Sequence, residues 1–432
     1  MKLSDYVFDF LANLGITHVF GIVGGANSHL ADSLGRNPRL QLVCTQHEQA
    51  AAMAAEGYAR AGETMGAVLV TSGPGGTNAI TGISGCWCDS IPAIVISGQV
   101  PLSATTDGRT VRQLGVQQLN ITDLIRPVTK YAVMVTSPDE IVYHLQKASY
   151  LASSGRPGPV WLDIPTEVQR AEIDPHRLTG FNGSGGVATE MFPHKLVCDE
   201  VMNLITAAAR PVLIAGHGIR LAKAAEDFRE LVEALGWPVV TTWNGIDLLN
   251  HDHPLYLGCA GVMGQRGTNY AVANSDLILS IGSRMDTRQL GNSPDLYARA
   301  AKKIVVDTDY HELEKGLMKI GWPIRVDAKD FIAALLARLQ TETPSQSNQL
   351  RQSWLERCRE WKQKYPVVLD RYYQEKGVNS FIFIKELCRR LRGDEIIVTD
   401  MGTSLTCTMQ TFFVKGRQRL FTNTGLAPMG FG

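Results

Sequence analysis

The sequence predicts an α/β protein of three doubly wound, parallel-sheet domains, the third incomplete. Two observations carry this. Apolar runs of strand length alternate with helix-length segments along most of the 432 residues, and strand then helix, repeated, means a parallel sheet covered on both faces. The composition also breaks twice into irregular polar text, and at a soft prior of ~150 residues per domain the length is that of two or three domains.

The elements follow in order. Ser4 is expected to cap a helix with Val7, Phe10, Leu11 and Leu14 on one face, ended by Gly15 in a left-handed conformation. A strand is expected at 18–22. Apolar runs at 40–44, 67–71, 92–97 and 159–164 then alternate with helical segments at 46–61, 76–86 and 138–153. This set makes a first domain, 1–174. The glycine- and serine-rich stretch PHRLTGFNGSGGVATEMFP reads as a linker over 175–193. A second domain over 194–340 carries the candidate strands PVLIAG, PVVTT, LILSIG, KIVVD and PIRVD. The polar stretch TETPSQSNQ, 341–349, precedes a third unit, 350–432, which opens on an amphipathic segment holding Trp354, Leu355, Cys358 and Trp361. A helix over 380–391, the strand EIIVTD and the loop MGTS follow, too little for a complete α/β domain.

The 42 basic and 42 acidic residues cancel, and no long basic tract offers a footprint for nucleic acid or a membrane surface. Apolar runs stop short of the ~18–20 residues of a membrane span, and the acidic, amphipathic start MKLSDYVFDFL is unlike a signal peptide. The expectation is a cytoplasmic protein whose partners are small molecules and other chains. Eight cysteines, at 44, 86, 88, 198, 259, 358, 388 and 407, lack paired metal-ligand spacing. They read as reduced, mostly buried thiols.

Three groups of residues can carry chemistry. Glu48 stands in the first turn of an alanine-rich helix, QHEQAAAMAAEGYAR, where the helix dipole favours a carboxylate. It is either a solvated surface charge or a functional group. The turn SGPGGTN, 72–78, leads from a strand into a helix and either presents N–H groups to an anion or lets the chain turn sharply. The loops AGHGIR, MGQRG and GSRMDTR fall where open α/β sheets bind ligands, and Arg266, Arg284 and Arg288 could hold a diphosphate or be solvated surface arginines.

In this order the segments FGIVGGA, HEQAAAMAAEGYAR, VTSGPGGTNAITGI, DSIPAIVISGQVP, RPGPVWLDIPTEVQ, NSDLILSIGSRMDTR and TDMGTS with GLAPMGFG closely resemble the acetolactate synthase branch of thiamine-diphosphate enzymes, over essentially the whole chain. The resemblance implies a pyrimidine-binding, a central and a diphosphate-binding domain. It implies that Glu48 hydrogen-bonds the aminopyrimidine ring, favouring the imino tautomer that can remove the thiazolium proton. It places Ile22, Pro74 and Asn78 near that ring, Met401, Gly402, Thr403 and Ser404 near the diphosphate, the Ala427 carbonyl at the amino group, and Met429 under the bent cofactor. The turn at 72–78 is thereby read as cofactor-facing. Gly25, Ala26, Gln117 and Lys130 match the substrate pocket. In the central domain Gly216, Gly218, Arg266, Gly282, Arg284, Asp286, Arg288, Asp307 and Asp327 match or neighbour a structural FAD site. The activity implied is decarboxylation of a 2-keto acid such as pyruvate, with carboligation to a second carbonyl, in a homodimer or homotetramer.

Two departures qualify it. The family's Gly-Asp-Gly followed by asparagine, which supplies oxygens to Mg²⁺, is absent, so no metal ligand is assigned and the Mg²⁺ ligands are expected beyond Gly432. Where acetolactate synthases carry Phe-Gln-Glu, this chain has Val116, Gln117 and Gln118, preceded by the extended loop TTDGRTVRQLG. That change keeps open acyl transfer to a keto-sugar, and the incomplete third domain keeps open a non-catalytic homologue that binds a nucleotide or partner; a simple 2-keto acid decarboxylase is the remaining alternative.

Overall fold

A computed structural model describes residues 1–106, 108–183, 197–341 and 348–432. Most of the linkers expected at 175–193 and 341–349 lies outside these residues. The chain divides into two compact units, Met1–Thr189 with Gly425–Phe431, and Glu190–Thr424 with Gly432.

The first unit is built on six parallel strands in the order β2-β1-β3-β4-β6-β5: β1 (His18–Gly21), β2 (Gln41–Cys44), β3 (Gly66–Val70), β4 (Ala93–Gln99), β5 (Tyr131–Met134) and β6 (Pro159–Pro165). Every residue of β3, β4 and β6 is buried, as the continuous apolar runs require of a sheet covered on both faces. The first helix spans Leu3–Asn13, but Ser4 does not cap it. Its hydroxyl is buried and donates to the Gln169 carbonyl at 2.5 Å, and the face that packs is Leu3, Val7, Phe8 and Leu11. Gly15 does take a left-handed φ, +82°. The last residue of the short helix Thr166–Gln169, 165 residues away in the chain, overrode the local capping preference, because a buried hydroxyl needs a partner more than an exposed helix end does.

The second unit has six parallel strands in the order β12-β11-β10-β7-β8-β9: β7 (Pro211–Ala215), β8 (Val239–Thr241), β9 (Tyr256–Cys259), β10 (Leu277–Ile281), β11 (Lys302–Asp307) and β12 (Trp322–Arg325). A further parallel pair, β13 (Ile396–Val398) with β14 (Arg419–Phe421), groups with this unit. The fold class expected from the sequence is thus observed as two six-stranded parallel sheets and the start of a third.

The helix Asn348–Lys364, expected to open a third unit, instead completes the second. Trp354 and Cys358 are buried with Val212, Ile214, Ala271 and Val272, the Trp354 indole donates to the Pro211 carbonyl at 2.9 Å, and Arg351 donates to the carbonyls of Ile205, Thr206 and Ala208. The apolar stripe at i, i+4 and i+7 needs a partner, and the face beside β7 supplies it. The β13–β14 pair is tied down by polar contacts. Arg220 and Arg419 each donate through Nε to the buried Asp247 carboxylate at 2.8 Å; burial alone would raise the pKa of Asp247, but the two guanidiniums outweigh it and hold it below the ordinary value. His251, stacked on Tyr256 at 4.4 Å, is kept neutral by burial, which lowers its pKa to about 3.

Candidate active site

In the first sheet the chain leaves β1 toward β2 and returns on its other side at β3. A reversal of strand order opens a crevice at the carboxyl ends of the flanking strands. Three loops meet there: 22–27 after β1, 45–48 after β2, and 71–75 after β3.

Glu48 begins the helix Glu48–Gly62, whose N-cap His47 accepts from the Gln49 amide at 3.2 Å. Glu48 is 8% exposed, so it is not a surface charge. Asn78 donates to its Oε2 at 2.9 Å, and Asn78 sits one turn inside the helix Pro74–Asp89, whose first residue is Pro74. Between them stands Gly75. A Cβ there would lie 2.8 Å from the Thr71 methyl and 3.6 Å from Glu48 Oε1, so the missing side chain is what leaves the carboxylate approachable. Gly73, at φ +59°, makes the turn and packs against the backbone of Gln117, whose carbonyl would be 2.8 Å from an added Cβ. The hydroxyls of Thr71 and Ser72 are buried with no hydrogen-bond partner among the described residues.

The 22–27 loop is pinned by a residue the sequence reading passed over. Buried Asn27 accepts from the Gly24 amide at 2.7 Å and donates to the Ile22 carbonyl at 3.0 Å. The Ala26 carbonyl in turn accepts from Gln169 at 2.6 Å and lies 2.1 Å from where a Gly98 Cβ would be. An asparagine two residues past a glycine pair, just after a strand, was the available signal for this local turn.

Ile22, Gly25, Ala26, Glu48, Pro74, Asn78 and Gln117 are therefore carried by loops and helix starts that follow the strands of one sheet. Lys130 is differently employed. Its ammonium donates to the carbonyls of Ser154 and Arg156 at 2.6 and 2.8 Å, and burial lowers its pKa to about 8. A cation already satisfied by two backbone carbonyls serves the fold, so its assignment to the substrate pocket is not sustained. Ala427 and Met429 lie in the segment Gly425–Phe431 of the same unit, whose Gly425 amide donates to Asp89 at 2.8 Å; Ala427 has a left-handed φ of +58° and Met429 is 85% exposed.

In the second unit, Gly402, at φ +74°, precedes the helix Thr403–Thr411, whose N-terminus has no side-chain cap; Gly402, Thr403 and Ser404 are exposed and the Ser404 hydroxyl donates to the Met401 carbonyl at 2.8 Å. The second sheet has its own reversal between β7 and β10. Gly216 and Gly218 follow β7, Gly282 follows β10, and the two loops touch: a Cβ on Gly216 would lie 2.1 Å from the Gly282 carbonyl oxygen, and one on Gly218 2.7 Å from the Gly282 Cα. Asp286 caps the short helix Thr287–Leu290 by accepting from the Arg288 and Gln289 amides. Asp307 and Asp327 each accept from an amide two residues on, at 2.9 and 2.8 Å. The three arginines have separate neighbours. Arg284 pairs with Glu312 at 3.5 Å, Arg288 lies over Trp243 at 5.1 Å, and Arg266 lies over Tyr365 at 4.7 Å. Among the described residues no group of three or more His, Cys, Asp or Glu is placed to hold a metal, and no helix is long and apolar enough to cross a membrane.

Comparison with known proteins agrees with this division. Residues 1–124 match the family model "Thiamine pyrophosphate enzyme, N-terminal TPP binding domain", and residues 198–335 match "Thiamine pyrophosphate enzyme, central domain". The acetolactate synthase large subunit of Lactococcus lactis subsp. lactis is 34% identical over 435 residues, covering 99% of this chain and 72% of that protein. A probable acetolactate synthase large subunit of Methanocaldococcus jannaschii is 33% identical, covering 100% and 72%. The chloroplastic acetolactate synthase 1 of Oryza sativa subsp. japonica is 32% identical, covering 100% and 65%. A helix-start carboxylate facing a glycine-cleared crevice, in a chain with these relatives over its whole length, places the protein in the acetolactate synthase family of thiamine pyrophosphate enzymes.

Proposed function

We propose that this chain decarboxylates a 2-keto acid, pyruvate first among them, and joins the acyl unit to a second carbonyl, with Glu48 as the carboxylate that activates thiamine diphosphate. The observation that carries the reading is the Glu48 carboxylate, buried, oriented by Asn78, and left open on its Oε1 side by Gly75. Thiamine diphosphate, when bound, supplies the electron sink for decarboxylation. Glu48 accepts a charge-assisted hydrogen bond at Oε1 while Asn78 holds Oε2, so the proton moves at one fixed oxygen. Ile22 and Pro74 border the same crevice, the unpartnered Thr71 and Ser72 hydroxyls suit a polar ligand, and the exposed helix start at Gly402, Thr403 and Ser404 suits a diphosphate. Ala427 and Met429 would complete the cofactor contacts, and Mg²⁺ would accompany the diphosphate. Gly25, Ala26 and Gln117 remain the substrate side.

The expected result with pyruvate, Mg²⁺ and thiamine diphosphate is release of CO₂ and, after acid treatment, acetoin. Glu48→Gln keeps the Asn78 contact and removes the charge, and release is lost; undiminished release in that variant refutes the assignment. The family reading extends to FAD at the second sheet's reversal, with Gly216, Gly218 and Gly282 bringing two loops together and Arg284, Arg288, Asp307 and Asp327 at the strand ends. A purified protein with visible flavin absorption supports it. A cytoplasmic homodimer or homotetramer is the assembly that goes with this reading, and light scattering measures its size.

A further inference from the structure

The 100–119 loop, which departs most from the family pattern, is fastened at both ends by one side chain. Gln99 is the last residue of β4 and is 2% exposed. Its Oε1 accepts from the Val100 amide at 3.0 Å, where the loop begins. Its Nε2 donates to the Leu119 carbonyl at 2.9 Å, where the loop ends. The second Nε2 hydrogen goes to Asp163 Oδ2 at 2.8 Å. Asp163 lies on β6 beside Ser97, whose hydroxyl donates to Oδ1 at 2.5 Å and accepts from the Trp161 indole at 2.8 Å.

The direction of this chain of bonds is forced. The Trp161 indole can only donate, so the Ser97 hydroxyl turns its own hydrogen to Asp163. The Asp163 carboxylate then accepts from both Ser97 and Gln99, which presents the amide nitrogen, and not the amide oxygen, to Leu119. All four side chains are nearly or fully buried, so a reversed amide would leave unmade bonds in the interior. Toward the loop, Gln117 rests its backbone on Gly73 of the turn beside Glu48.

We propose that Gln99, oriented by Asp163, is a positioning residue that clasps the two ends of the 100–119 loop and so holds Gln117 against the Gly73 turn, setting the substrate side of the site. The proposal rests on the function proposed above for its kinetic consequence, and on the structure alone for the clasp. It is distinct from a core role, and one pair of variants separates the two. Gln99→Glu puts a carboxylate against Asp163 and disrupts both contacts. Gln99→Glu combined with Asp163→Asn restores the pair with its polarity reversed, the amide at 163 donating to the carboxylate at 99, yet sets an acceptor in place of the donor to the Leu119 carbonyl.

The readout is limited trypsin cleavage in the 100–119 loop, at the exposed Arg109 and Arg112, alongside thermal melting and the KM and kcat for pyruvate. The double variant should melt between Gln99→Glu and the parent protein and be cut at least about five-fold faster than the parent, the weight of one neutral hydrogen bond. Its KM should rise by a similar factor with kcat held within about two-fold. If the double variant does not fold, Gln99→Met, which keeps the volume and lacks all three hydrogen bonds, takes its place. Parental cleavage rates in the double variant overturn the clasp, and fast cleavage with parental KM overturns its link to the substrate. Because cleavage needs no activity, a parent protein that releases no CO₂ sinks the functional reading and leaves the clasp tested on its own.

Discussion

Gly82→Ala tests how the Glu48 site is spaced. Asn78 and Gly82 are i and i+4 on one helix, and Glu48 and Ala52 are i and i+4 on the other, so the two pairs stack one turn apart on facing surfaces. A Cβ on Gly82 would lie 2.5 Å from the Ala52 Cβ and 3.0 Å from the Ala52 carbonyl carbon and the Met53 nitrogen. Backbone cannot swing aside. Ordinary carbon contacts are ~3.5–4.0 Å, so the helices must part by roughly 1 Å. One turn away, the 2.9 Å bond from Asn78 to Glu48 would stretch to about 3.9 Å and cease to be a hydrogen bond. Overpacking costs ~1–3 kcal/mol, and replacing a helical glycine by alanine returns ~1, so stability falls by only ~0–2 kcal/mol. The lost bond to a carboxylate is worth ~1.5–3 kcal/mol, which is roughly a ten- to hundred-fold loss in rate if it orients the reacting oxygen. The assay is initial CO₂ release from pyruvate beside a urea melt. Adding Ala52→Gly moves the methyl group from one helix to the other and should recover most of the rate. Full activity in the single variant, or no recovery in the double, refutes helix spacing as the determinant.

Three further outcomes follow from buried charges and thiols. Asp247→Asn leaves Arg220 and Arg419 facing a neutral group in a site where the parent carboxylate is 2% exposed, and urea unfolding should show a loss of ~3–5 kcal/mol; a loss under ~1 kcal/mol would mean the pair is better solvated than its burial indicates. Burial raises Asp163 from 3.8 to about 6, only partly offset by its bonds to Ser97 and Gln99. The folded protein then binds that proton more tightly than the unfolded chain does, so its contribution to stability improves as pH falls from about 6 toward 3.8 and is flat above. The unfolding free energy of the parent minus that of Asp163→Asn should therefore rise over that window, and a difference independent of pH contradicts the assignment. Alkylation by iodoacetamide at mildly alkaline pH should mark exposed Cys44 well before Cys358, whose thiol burial pushes up to about 12; mass spectrometry that finds Cys358 modified first would show that this helix opens readily.

The strands that were legible are those with unbroken apolar runs and both faces covered, such as β3, β4, β7 and β10, where burial leaves no alternation to read. Those not anticipated, β5, β9 and β14, each lack that signal. Tyr131–Met134 is half-buried throughout, Tyr256–Cys259 contains Gly258 at φ +138° beside a register shift, and Arg419–Phe421 is three residues long. The stripe of Trp354 and Cys358 was readable as a helix face, but not what it would pack on, because a periodic pattern specifies that a partner exists and not which one. At the site, Glu48 and Asn78 were legible through their helix starts and the family pattern. Gln99 and Asp163 were not. They are polar interruptions in apolar strands 64 residues apart, and only the parallel register of β4 with β6 reveals them as one group.

The two sheets also show why glycine-rich loops at a strand-order reversal cannot be read alike. Both reversals carry them, and from sequence both invite the same ligand-binding interpretation. At Gly75 an added Cβ would meet a flexible side chain first, the Thr71 methyl at 2.8 Å, and the Glu48 Oε1 at 3.6 Å, so the glycine keeps small the wall beside that carboxylate. At Gly216, Gly218 and Gly282 the absent Cβ atoms point at one another's backbone, at 2.1–2.8 Å, so the room is consumed by the protein itself. Alanine at Gly75 should therefore weaken cofactor binding while a small shift of Thr71 keeps the fold. Alanine at Gly216 has backbone on every near side and should unfold the second unit whether or not a flavin is present. Under the proposed function, glycine at the first reversal keeps the approach to Glu48 open; at the second it permits two loops to close.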